Sequence, residues 1–132
     1  MSFNKRTLLG CWKVRIKFLS LKSYDEKLRL FDARNPRRPV SETPVGGGIW
    51  RTKWHPTLAS KLLLGCMHGG FAILNCPGMD SDDSIEEPME MITHFDQHKS
   101  IAYGCDWERA QPDSRLIYSC SFYDAMMHIW SW

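Results

Sequence analysis

S-Y-D-E-K-L-R-L-F-D, residues Ser23 to Asp32, reads as a tight acidic turn followed by a short strand. Two later stretches repeat its pattern in altered form. Cys66 to Asn75 is C-M-H-G-G-F-A-I-L-N, and Phe122 to Ser131 is F-Y-D-A-M-M-H-I-W-S. With Asp25, His68 and Asp124 in one column, the three align without a gap. Leu28, Phe71 and Met127 then share a column, as do Leu30, Ile73 and Ile129. Phe31, Leu74 and Trp130 form a third apolar column, followed by Asp32, Asn75 and Ser131. Apolar residues two apart lie on one face of a strand, so the repeating unit holds a half-buried strand entered through a turn.

The interval from Phe31 to Leu74 falls within the roughly 40–45 residues of a four-stranded propeller blade. The next interval does so once the acidic stretch 77–90 is set aside as an insertion. Asp80, Asp82, Asp83, Glu86, Glu87 and Glu90 crowd that insertion, which favours a solvated loop. Their spacing lacks the glycine-centred ligand pattern of an EF-hand.

At 132 residues the chain is one domain at most, and 43% hydrophobic with 24% charged residues is a globular composition. A formal charge of +2 does not point to nucleic acid. No apolar run reaches the roughly 18 residues that span a bilayer, so no membrane partner is expected. Five cysteines, an odd number without a C-x-x-C pair, argue against a disulfide framework or a zinc site. We expect a reducing, cytoplasmic setting and no metal or cofactor.

Residues 1–22 are basic, with Lys5, Arg6, Lys13, Arg15, Lys17 and Lys22 and no acidic residue. They read either as a presequence or as an unrelated leader. The strand-like alternation of Val14 to Leu21, V-R-I-K-F-L-S-L, favours the leader over an amphipathic helix. From Ser23 onward, strands are expected at Lys27–Asp32, Val40–Val45, Ile49–Trp54, Lys61–Cys66, Gly70–Asn75, Met89–Thr93, Ile101–Asp106, Arg115–Ser119 and Met126–Trp130. Asn35-Pro36-Arg37-Arg38-Pro39, Gly46-Gly47-Gly48 and His55-Pro56 punctuate them. No helical period occurs, so the fold is all-β by elimination.

The turn and strand carrying Asp25, Phe31 and Asp32, repeated with Asp124 and Trp130, resemble those of the WD-repeat β-propellers. That resemblance implies a structural histidine–aspartate pair, which the last unit supplies as His98 and Asp124. In the middle unit Val45 and His68 occupy those columns, so His68 is released from the pairing. Gly46 to Pro56 (G-G-G-I-W-R-T-K-W-H-P), Cys66 to Phe71 (C-M-H-G-G-F), Ala102 to Trp107 (A-Y-G-C-D-W) and Ser119 to Asp124 (S-C-S-F-Y-D) are similar to a narrower WD-repeat family. It is the diphthine methyl ester hydrolase family of diphthamide biosynthesis, also called the diphthine methyltransferases. The resemblance covers Ser23 to Trp132 and implies an incomplete propeller of about two and a half blades, out of a ring of about seven. It further implies hydrolysis of the methyl ester of methylated diphthine on elongation factor 2, with this short chain, as a fragment or short isoform, inactive by itself. The alternative is a non-catalytic WD-repeat scaffold for protein–protein interaction, since a fold does not decide a function.

Ester hydrolysis needs an activated water or nucleophile and a donor for the developing oxyanion. No G-x-S-x-G elbow is present. Cys66, two residues from His68, is a weaker nucleophile candidate, because a cysteine at a strand end is more often core. His68 is the candidate general base and Arg51 the candidate donor, while Asp25, Tyr123 and Asp124 are expected to bind substrate on the same rim. Asp106 reads as an orienting group or a loop cap. Trp54 and Trp107, equivalent by repeat position, read as packing residues.

Overall fold

The structure is a computed structural model that describes residues 18–21, 23–78 and 88–132, the first of these by backbone alone. Most of the basic leader 1–22 and of the acidic loop 77–90 lies outside the described residues. Among them are ten strands and no helix: β1 (Phe18–Leu21), β2 (Lys27–Asp32), β3 (Pro39–Pro44), β4 (Arg51–Trp54), β5 (Lys61–Gly65), β6 (Phe71–Asn75), β7 (Glu90–Phe95), β8 (Gly104–Trp107), β9 (Leu116–Ser121) and β10 (Met126–Ser131).

The strands form three antiparallel sheets in the orders β1-β2-β3, β4-β5-β6-β7 and β8-β9-β10. β8 approaches β4 and β5, so the leading strands of neighbouring sheets meet. This is an incomplete β-propeller. β3 begins and ends in proline, Pro39 and Pro44, and proline lacks the ladder donor. It accordingly occupies a sheet edge.

Burial patterns follow from the stacking. β5 and β6 are buried almost continuously because their sheet is covered on both faces. On one face Leu62, Leu64, Ala72 and Leu74 pack with Leu28, Leu30, Val45 and Ile49 of the first sheet and its loop. On the other, Leu63, Phe71 and Ile73 pack with Ala102, Trp107, Ile117 and Trp130. β2 and β9 alternate instead, having one covered face each. Trp107 belongs to the second core and Trp54 packs against the first, as packing residues should.

Two strands begin two or three residues later than the sequence suggests. Ile49 and Trp50 precede β4 because Ile49 N donates to Ser23 O and Trp50 N to Gly65 O, outside the ladder register. Before β8, Ala102 makes only an isolated bridge to Met67.

Candidate functional site on the turn rim

The β1–β2, β5–β6 and β9–β10 turns open at the same end of the sheets as the loops entering β4 and β8. In the first and last turn, an aspartate shapes the backbone. Asp25 Oδ1 accepts from Lys27 N at 3.2 Å, and Asp124 Oδ1 from Met126 N at 2.9 Å. The residue after each aspartate, Glu26 or Ala125, takes a positive φ. The middle turn is built differently. Positive φ falls on Met67 and Gly70, and the bonds are from backbone: Cys66 N to Gly70 O, Gly69 N to Cys66 O. The gapless alignment thus conceals a change of turn type around His68.

The glycine loop before β4 is pressed onto that middle turn. A Cβ on Gly47 would lie 2.0 Å from the Cys66 carbonyl oxygen, so only glycine allows this approach. His94 Nε2 donates to Gly69 O at 2.6 Å and braces the turn from β7. His68 itself is exposed and makes no hydrogen bond to another described residue.

The His98–Asp124 pair forms as the repeat columns imply. His98 Nδ1 donates to Asp124 Oδ2 at 3.0 Å, leaving Nε2 to accept from the Ser119 hydroxyl at 3.0 Å. Ser119 Oγ in turn accepts from Trp130 Nε1 at 3.1 Å. Asp124 Oδ2 also accepts from Lys99 N. Burial acts to raise the Asp124 pKa, but the bonds from Met126 N, His98 and Lys99 N together outweigh it and hold the carboxyl below its usual range. With a side chain only 6% exposed, Asp124 is committed to the fold, which removes the simplest reason to expect it to bind substrate. Asp25 is also engaged: Arg29 Nη2 donates to Oδ2 at 2.6 Å, and that bond holds its carboxyl far below the ordinary range. Ser119 and Trp130 complete this chain of bonds. Ser119 could have been found as a polar residue on the inward face of an otherwise apolar strand.

Cys66 is buried, and burial alone pushes its thiol up to about 12. It is therefore protonated at neutral pH, and the thiolate, not the thiol, is the nucleophile. Asp106 acts as a loop cap, accepting from Trp107 N and Arg109 Nη2.

Arg51 stands apart from the other arginines. It opens β4 half-buried, with its guanidinium 6.0 Å from the Trp50 ring centroid. With Ser23, Tyr24, Ile49 and Trp50 it lines a cleft of about 280 Å³ between the β1–β2 turn and the β4 entry loop. The sequence singled out Arg51 but not the two aromatic walls, because the cleft lies between sheets. His68 is on the neighbouring turn and does not line it. Tyr123, 64% exposed, packs on Phe122, which faces Tyr103, which faces Trp50. An aromatic band therefore runs along the rim from the cleft to the last turn.

No protein-family model matches the chain. It is 39% identical over 136 residues to a Dictyostelium discoideum protein named "Diphthine methyltransferase homolog", covering 97% of this chain and 37% of that protein. To the Homo sapiens diphthine methyltransferase it is 44% identical, over 79% of this chain and 24% of the relative. To the Mus musculus one it is 45% identical, over 67% and 18%. The chain thus spans well under half the length of these curated relatives. Among solved structures, one chain of a mitotic checkpoint complex superposes with a TM-score of 0.65 at 12% identity, over 91% of this chain and 34% of that one. This likeness concerns the fold alone.

Proposed function

We propose that this chain, a partial-length relative of the diphthine methyltransferases, contributes the turn rim of a site that hydrolyses the methyl ester of methylated diphthine on elongation factor 2. The carrying observation is the 39% identity that extends over 97% of the chain. In this reading His68 is the general base and Arg51 the carbonyl-oxygen donor. A water gives its proton to the imidazole as its oxygen bonds to the ester carbon. Imidazole is the side chain that exchanges a proton most readily near neutral pH. The negative charge gathering on the carbonyl oxygen faces the guanidinium, and the methoxy group departs with a proton as methanol. The acid remains on the protein substrate. Tyr123 lies along the rim as a substrate wall, while Asp25 and Asp124 serve by holding their turns. In this reading the reaction takes place in the cytoplasm.

The test is methanol release from methylated elongation factor 2 by a full-length protein that contains this sequence. His68→Ala should lower turnover by about 10²–10⁴ with the fold intact, the usual effect of losing a positioned base. Unchanged turnover would reduce His68 to a turn residue. The second reading, a scaffold for protein–protein interaction, draws on the exposed rings of Tyr24, Phe122 and Tyr123. It predicts stable binding of a protein partner with no methanol release.

A further inference from the structure

We infer that the cleft lined by Ser23, Tyr24, Ile49, Trp50 and Arg51 is a carboxylate-binding subsite. Arg29, also partly buried, is paired with Asp25 and Glu42, with bonds of 2.6 and 2.7 Å. Arg34 is paired with Asp32 and Arg109 with Asp106. Among the described arginines, Arg51 alone combines partial burial, a place in a cleft, and no carboxylate of any described residue within ion-pair distance. Asp25, the aspartate of the adjoining turn, is held by Arg29 and does not compete.

A guanidinium withdrawn from water without an anion forgoes its strongest bonds, which are the paired N–H donations to a carboxylate. Its guanidinium lies 6.0 Å from the Trp50 ring centroid, at the outer range of a cation–π contact. Tyr24 and Trp50 give the same cleft two aromatic walls, which suit an apolar stem carrying the acid group. The ligand class is therefore a carboxylate on a short apolar chain, either the acid freed by ester cleavage or an ordinary acidic side chain of a protein. If the former, the assignment rests on the hydrolytic reading above and implies that the acid binds more tightly than the neutral ester and inhibits its own formation.

The experiment uses this chain, isotope-labelled, with the Trp50 indole N–H as the reporter in NMR titrations. 3-Phenylpropionate should shift that signal, and its methyl ester should bind at least about tenfold more weakly, the equivalent of one charge-assisted hydrogen bond. Arg51→Gln should remove the response, and Arg51→Lys, which keeps charge but not the fork, should weaken it. A glutamate-containing peptide that matches 3-phenylpropionate assigns the cleft to acidic side chains; a much weaker one assigns it to the freed acid. Equal binding of acid and ester, or a response that survives Arg51→Gln, overturns the subsite. These titrations follow binding to this chain without turnover, and methanol release is read separately on the full-length protein, so failure of the hydrolytic reading and failure of the carboxylate subsite are told apart.

Discussion

At the scale of single residues, His55 is committed to the fold in a way its sequence neighbours do not announce. His55 is 4% exposed, and its Nδ1 accepts from Leu58 N at 3.0 Å and Thr57 N at 3.2 Å. It caps the turn after β4, and its ring packs edge-on against Trp107 and Trp132. Burial lowers its pKa, helped by the positive charges of Arg109 and Lys61. Protonation would also aim a third N–H at two existing donors. Because the folded value lies below the unfolded one of about 6.5, the unfolded chain binds the proton more readily. The His55 contribution is complete above that pH and is lost as pH falls toward the folded value. Thermal melts from pH 7 to 5 should therefore show declining stability. In His55→Asn, whose carbonyl accepts without titrating, the slope should flatten; a parallel slope would mean other groups cause it. Its capping bonds could not be read from a histidine–proline pair in the sequence.

At the scale of elements, residues in one repeat column meet different surroundings. Leu28 and Leu30 face the second sheet, and Phe71 and Ile73 face the third in the same sense. Met127 and Ile129, their counterparts in β10, are 64% and 57% exposed because no described sheet lies beyond. The column Phe31, Leu74, Trp130 points the other way. There Leu74 and Trp130 are buried against the preceding sheet, and Phe31 is only half-buried. Truncation should expose the asymmetry. At a dilution where the chain is monomeric, Ile73→Ala should cost about 2–5 kcal/mol in denaturant unfolding, while Ile129→Ala should change stability by no more than about 0.5 kcal/mol. Similar costs at both positions would show that the β10 face is covered in solution.

At the scale of the whole molecule, three sheets account for two buried interfaces and leave two outer faces. The outer face of the first sheet carries the Lys27–Glu42 and Arg29–Glu42 pairs, which tolerate water. That of the last sheet carries Leu116, Met127 and Ile129, an apolar group that water does not favour. β10 is also an unpaired edge among the described strands, a template for further pairing. This chain should therefore self-associate in a concentration-dependent way, and Met127→Lys with Ile129→Lys should shift it toward monomer in sedimentation velocity. A monomeric unmodified chain would rule this out. The sequence by itself determined the repeat, the all-β class and the apolar columns, because each follows from period-2 alternation entered through a turn, while the His98–Asp124 pair was implied by the resemblance to WD-repeat propellers. Only the tertiary structure decided which column is covered, how the middle turn differs and that Arg51 shares a cleft with Tyr24 and Trp50. Those depend on which sheet lies against which, and contacts between sheets leave no local period in the chain.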